Sequence, residues 1–283
     1  MDDSILEHRA TPEQLERFDQ QGYLVIEDAL SPSDVTRLET VVDGIAEAER
    51  QRRELPPHAP VDKFCCVVED PALVELVDWP RTLPLAWDIL GWNIQLYISH
   101  LSVFPPEPVV QPGKFFGGWH QDGGRPVQEM ERPHPRLSFK VSYWLSDTRG
   151  DDRGALMILP GSHRLDELPD SGPDGTPEGT VEVRVAPGTA VLFDRRMWHS
   201  RSHNTSDVTR KVLFFGYSYR WLRGLDYNAM PARILEGCDP IRRQLLGAGS
   251  AMTGWWQPRD GDVPLKVWLE ERGLLEKPGW DSR

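Results

Sequence analysis

The alternation of apolar and polar positions changes character about a third of the way along the chain. A first helix opens at Thr11-Pro12-Glu13-Gln14, where Thr11 can cap, Pro12 suits the first turn and Gln14 completes a capping box. It ends near Gly22, and "YLVIEDAL" follows as a short strand. A second, longer helix covers "SPSDVTRLETVVDGIAEAERQRR", in which Val35, Leu38, Val42 and Ile45 recur at helical spacing. "ELPPHAP" breaks it, and two further short helices are expected at about 71–79 and 82–91. From there the runs read as strands: "WNIQLYISHLSVF", "RLSFKVSYWLSD", "GALMILPGSH", "GTVEVRVAPG", "TAVLFDRRMWHS" and "RKVLFFGYSYRW". Gly, Pro and Asp clusters separate them as loops.

Seven or so strands with short connections, after a helical opening, predict a β-sandwich or barrel and not alternating βαβ units. No internal repeat, low-complexity segment or linker interrupts the chain. A single domain over 1–283 is therefore expected, with a mainly helical part (1–92), a β core (93–225) and a helix-and-loop extension (226–283).

Charge narrows the partners. With 44 acidic residues against 32 basic ones the net charge is −12, which repels a phosphate backbone and argues against nucleic acid. No apolar run approaches the roughly 20 residues of a membrane span. The N-terminal "MDDSILEHRATPEQ" lacks the basic start and apolar core of a signal peptide, so a cytoplasmic location is expected. Cys65, Cys66 and Cys238 form neither a disulfide framework nor a CxxC zinc pattern, which fits a reduced compartment. Eleven tryptophans exceed what such a core needs and suggest an aromatic-lined pocket.

The segment "GGWHQDGG" (117–124) carries the first candidate chemistry. On a strand, His120 and Asp122 point the same way and Gln121 points away. An HxD pair alone is more often a hydrogen-bonded pair than a ligand set. His199, just beyond the apolar run "TAVLF", is a candidate third ligand if the two strands face each other across a barrel. Two histidines and one carboxylate in a facial arrangement suit non-haem Fe(II), with positions left open for substrate and oxygen. Arg210 begins a strand after the turn "NTSDVT", and a hairpin would return it to the neighbourhood of His199. The common cosubstrate of such an oxygenase is 2-oxoglutarate. Its far carboxylate needs a cation in a dry pocket, which arginine supplies through two parallel hydrogen bonds. Without that context Arg210 reads as a solvated charge at a strand end. The glycines around the HxD pair would let the backbone bend around the ligands, or form a plain loop.

"WHQD", "SYWLSD", "GALMILPGSH" and "HSRSHNTSDVTR", in this order and spacing, resemble the phytanoyl-CoA dioxygenase-like family of Fe(II)/2-oxoglutarate-dependent oxygenases. "FDQQGYLVIEDALSPSDVTRL" also looks like that family's opening, and the resemblance runs from about residue 14 to 225. It implies a mainly β protein with peripheral helices: a double-stranded β-helix (jelly-roll, cupin-like) core with N-terminal helices on the major sheet. It makes His120, Asp122 and His199 the iron ligands and Arg210 the clamp for 2-oxoglutarate. O2 is then the second cosubstrate. Trp144 matches a position that often lines the cosubstrate pocket, and Asn204 a position that shapes the turn after the second histidine. At 201 many relatives carry a small residue; here Arg201 either turns outward or adds a second positive charge. A carboxylate at 122 predicts oxygenation, since halogenating relatives have a small residue there.

Further positions are open to two readings. His100 and Ser102, on one face of "ISHLSVF", could bond cosubstrate or substrate, or be satisfied core groups. Arg220 and Arg223, in the aromatic stretch 214–227, could seat an acidic substrate group. The long polar loop 123–136 is a candidate lid. The expected activity is hydroxylation of an aliphatic C–H bond in a small molecule; desaturation, epoxidation, rearrangement or an acyl-CoA substrate would use the same site. The rivals are a non-catalytic jelly roll that binds a small ligand, and a zinc hydrolase.

Overall fold

The computed structural model describes residues 1–107, 118–122, 130–249, 254 and 257–275. Helix α1 (Pro12–Gln21) has the capping box expected of it: the Thr11 hydroxyl accepts from the Gln14 N–H, and the Gln14 side chain accepts from the Thr11 N–H. It stops at Gly22, whose φ of +82° is left-handed. A Cβ there would stand 2.5 Å from Met197 Cε and 2.6 Å from His163 Nδ1, so glycine lets the helix end pass close to the segment leading to His199. Helix α2 (Pro32–Arg52) is capped by Ser31 and buries Val35, Leu38, Val42 and Ala46 at helical spacing. The shorter α3 (Pro71–Val74), a 3-10 turn (Glu75–Asp78) and α4 (Leu83–Leu90) follow. Beyond the strands lie α5 (Ala232–Leu235), α6 (Pro240–Leu245) and α7 (Pro264–Glu270). Among the described residues no helix is long and apolar enough to cross a membrane.

In chain order the strands are β1 (Tyr23–Ile26), β2 (Val61–Phe64), β3 (Ile94–Phe104), β4 (Ser138–Trp144), β5 (Leu156–Ile158), β6 (Val181–Val183), β7 (Ala190–Asp194), β8 (His199–Arg201) and β9 (Arg210–Tyr219). The larger sheet has the order β1-β7-β4-β9-β3-β2 and the smaller β6-β5-β8, with every pair antiparallel.

Strand parity decides what each face carries. On β4, Phe139, Val141 and Tyr143 join the apolar cluster shared with the helices, whereas Trp144 belongs to the second cluster, with residues of the small sheet. On β9, Leu213, Phe215 and Tyr217 face the helices and Val212 the small sheet. His100, Ser102, Phe104, Lys140, Arg210 and Phe214 have the opposite parity and line a cavity between the sheets. The architecture is the jelly roll with helices on its larger sheet.

Two expectations about elements need correction. "TAVLFDRRMWHS" is not one run. The buried Asp194 carboxylate accepts from the Arg196 N–H and Nε, both at 2.9 Å, and this local bond turns the chain out of the ladder. The chain then crosses to the small sheet, where His199 opens β8. β8 and β9 therefore form no hairpin: Arg210 sits in the other sheet and meets the His199 region across the cavity, not along a turn.

Candidate metal centre

His120 and His199 exchange both backbone hydrogen bonds, His120 N–H to His199 O at 3.1 Å and His199 N–H to His120 O at 3.0 Å. This is an isolated bridge and not the strand expected for the HxD segment. Asp122 lies in the turn that follows, anchored by its N–H to Arg195 O at 2.8 Å. Gly118, at φ +55°, supplies the left-handed residue that leads in. Gln121 points away, as expected, its amide donating to Leu165 O and Arg196 O. Gly117, Gly123 and Gly124 lie outside the described residues, as does 123–129 of the candidate lid.

The ring nitrogens sort themselves by their neighbours. His120 Nδ1 is 3.0 Å from Gly118 O and His199 Nδ1 is 2.9 Å from Met197 O. A carbonyl only accepts, so each Nδ1 carries a proton, and it is Nε2 that offers a lone pair in the neutral ring. One ligand atom from each of His120, Asp122 and His199 lies within 4.8 Å of the others. Asp122 Oδ1 accepts from Lys140 Nζ at 2.8 Å, while Oδ2 is buried, has no hydrogen-bond partner among the described residues, and lies 3.9 Å from His199 Nε2. Burial opposes ionisation of Asp122, yet the Lys140 ammonium and the two imidazoles hold its carboxyl at about 2. Burial holds His199 down at about 4, so its ring is neutral at physiological pH. Three acceptors converge with no donor between them. A cation satisfies that arrangement, and the N2O donor set suits Fe(II).

A cavity of about 190 Å³ is bounded by His120, His199, Lys140 and Arg210. Arg210 is buried there. Its Nε donates to Gly154 O at 2.6 Å and its Nη1 to Ser102 Oγ at 3.4 Å, and its guanidinium lies over the rings of Trp144 (5.0 Å) and Phe104 (5.7 Å). No carboxylate lies within ion-pair distance of it among the described residues, and burial lowers it to about 9, so it stays charged at neutral pH. A buried cation whose acidic neighbours, Asp62 and Glu107, act on it only from beyond ion-pair distance is a site for an anion.

Ser102 and His100 both line the cavity, and both are tied to Asp62, a residue with no sequence signal on the unforeseen β2. His100 Nε2 is 2.8 Å from Asp62 Oδ1, and its ring is stacked between Phe64 (4.5 Å) and Phe214 (5.6 Å). Burial opposes ionisation of Asp62, but the bonds from His100 and Ser102 lower its carboxyl on balance. His100 is thus a satisfied wall residue, and Ser102 is the group that faces Arg210.

Other residues fall differently from expectation. Arg201 does not turn outward: it is buried, lines the cavity, lies over the Phe104 ring at 4.7 Å, and donates to Glu107, which meets its charge. Glu107 also accepts from the Asn204 N–H at 3.1 Å. Trp144 does not line the cavity but packs behind Arg210, its Nε1 bonded to Ser142 Oγ at 3.0 Å. Asn204 shapes its turn, donating to Phe104 O and Val208 O. Arg220 donates to Gly254 O and Ala248 O, and Arg223 to Asn228; neither reaches the cavity. Its aromatic wall among the described residues is phenylalanine, not tryptophan.

Gly154 is the supporting residue that sequence alone did not mark. Its φ is +70°, and a Cβ there would stand 2.8 Å from Arg210 Cδ. Gly154→Ala is expected to push the guanidinium out of place and to cost about 1–3 kcal/mol, as overpacking does. Urea unfolding measures the cost; a variant as stable as the wild type would show that the loop yields freely.

A sequence model of the phytanoyl-CoA dioxygenase (PhyH) family matches residues 18–212. The chain belongs to this family. Membership makes it, by class, an Fe(II)/2-oxoglutarate-dependent dioxygenase, as its motifs led one to expect. This PhyH-family chain is 26% identical over 236 residues to an ectoine dioxygenase of Nocardia farcinica, covering 73% of the chain and 77% of the relative. Its fold is that of HygX from Streptomyces hygroscopicus, solved with nickel and 2-oxoglutarate bound (TM-score 0.60, 18% identity, 80% of this chain and 94% of that one). It is also that of EctD from S. alaskensis with bound Fe (TM-score 0.57, 22% identity, 78% and 79% covered).

Proposed function

We propose that His120, Asp122 and His199 hold Fe(II), that Arg210 and Ser102 hold the far carboxylate of 2-oxoglutarate, and that the enzyme hydroxylates an aliphatic C–H bond of a small molecule. The observation that carries this reading is the pairing of two unsatisfied groups in one place. Among the described residues, a carboxylate oxygen without a hydrogen-bond partner faces two imidazoles, and a buried guanidinium with no carboxylate in ion-pair distance lines the cavity that those imidazoles border. With 2-oxoglutarate and O2, bound iron supplies the oxidising chemistry, and succinate and CO2 leave.

The chain's own part is geometry and exclusion of water. Each histidine is oriented by its Nδ1–H bond to a backbone carbonyl, which fixes the tautomer and aims Nε2 at the common point. Gly154 O and the flanking aromatic rings fix Arg210 in one orientation, leaving its Nη groups to meet a carboxylate. Phe193 and Phe214 keep the space between dry. The carboxylate at 122 favours oxygenation over halogenation. A cavity of about 190 Å³ suits a small molecule better than an acyl-CoA, in line with the ectoine dioxygenase relative. A zinc hydrolase would use the same three side chains and leave the buried charge of Arg210 without a purpose.

The test uses metal-free protein under anaerobic conditions. Addition of Fe(II) and then 2-oxoglutarate is expected to produce the weak visible charge-transfer absorption of a chelated keto acid. Iron binding without that band would overturn the cosubstrate assignment and leave a metal-binding jelly roll.

A further inference from the structure

The inward positions of β4 are Ser138, Lys140, Ser142 and Trp144, and one of them is charged. Lys140 is buried, in a strand buried from end to end, between Phe139 and Val141, which face the helices. An ammonium in that setting costs several kcal/mol unless it is paired. Its pairing is specific. Nζ donates to Asp122 Oδ1 at 2.8 Å and lies 5.8 Å from the Phe214 ring centre. The two oxygens of Asp122 are therefore unlike: Oδ1 is held, and Oδ2 is buried, without a hydrogen-bond partner among the described residues, and turned toward His199 Nε2 at 3.9 Å.

We propose that Lys140 is a positioning residue that reserves one oxygen of Asp122 for the metal. A carboxylate left to itself can bind a cation through one oxygen or both. By occupying Oδ1, Lys140 restricts Asp122 to Oδ2, and the coordination position that a second oxygen would fill stays open for exogenous ligands. This inference rests on the metal assignment proposed above. A lysine that merely balanced the buried charge of Asp122 would leave the carboxylate bound through one oxygen when removed, which separates the two roles.

Cobalt(II)-induced infrared difference spectra are the probe, because the splitting between a carboxylate's asymmetric and symmetric stretches narrows when its second oxygen joins the first on a metal. Metal-free full-length protein, wild type and Lys140→Met, is loaded with Co(II) without 2-oxoglutarate. In Lys140→Met the carboxylate splitting is expected to narrow as the second oxygen of Asp122 takes the place of a bound water. Lys140→Arg, which keeps a cationic donor, is expected to restore the wild-type spectrum. An unchanged Lys140→Met spectrum, or a Lys140→Arg spectrum that matches Lys140→Met, would overturn the inference. If Lys140→Met fails to fold by circular dichroism, Lys140→Gln is read in its place by the same criterion. Failure of the wild-type protein to bind cobalt sinks the metal assignment and this inference with it; wild-type binding with an unchanged Lys140→Met spectrum sinks the inference alone.

Discussion

Asp122→Ala is expected to bind no iron and to release succinate at the background rate, while also unfolding more easily than the wild type. Both effects have one cause. The carboxylate is the sole anionic member of the ligand group, and it is also the acceptor for the buried Lys140 ammonium. Its removal leaves two imidazoles beside an unpaired cation that repels any metal. Breaking a buried ion pair from one side costs about 3–5 kcal/mol, so the metal-free variant should lose stability on that order. Asp122→Asn separates the two consequences: its amide oxygen still accepts from Lys140, so most of the stability returns, but without the negative charge the iron does not. Metal content, succinate release and urea unfolding read the three quantities. Normal turnover by Asp122→Ala would reject the ligand assignment.

Arg210→Met is expected to weaken 2-oxoglutarate binding by on the order of a hundredfold or more, without lowering stability. Each charge-assisted bond is worth about 1.5–3 kcal/mol, and about 1.4 kcal/mol is tenfold in affinity, so losing a two-bond clamp reaches that size. Stability behaves differently because the guanidinium is buried without an ion-pair partner. An apolar side chain of similar length removes that desolvation cost and keeps contact with Trp144 and Phe104. Arg210→Lys should recover only part of the affinity, since an ammonium cannot make two parallel bonds. Titration of the anaerobic charge-transfer band measures affinity, and thermal unfolding measures stability. A variant that loses both together would mean that Arg210 is a structural residue.

The helical caps, the long strands and the residues His120, Asp122, His199 and Arg210 were legible because each has a local cause. A capping box, an apolar alternation or a spaced motif is written within a dozen residues. What was not legible depends on partners far away in the chain. β2 is short and follows a proline-rich turn, so Asp62 gave no sign of meeting Ser102 and His100. Arg201 is neutralised by Glu107, and nothing near either predicts their meeting. The break between β7 and β8 had a signal that went unused: Asp194, followed by two arginines, offers a side-chain acceptor that ends a strand. Lys140 had one too. A lysine four residues before Trp144, in a strand whose alternate positions are apolar, shares the inward face of that tryptophan. Parity, applied to "SFKVSYW", would have placed it beside the site.

The reciprocal bonds between His120 and His199 run entirely through the main chain, and a main chain reads no side-chain letter. The frame that brings residues 120, 122 and 199 together is thus indifferent to which groups hang from it. A single codon change at His120 or His199 alters the chemistry on offer and leaves these main-chain bonds in place. Such a frame can be handed new reactions one substitution at a time, without the fold having to be solved again.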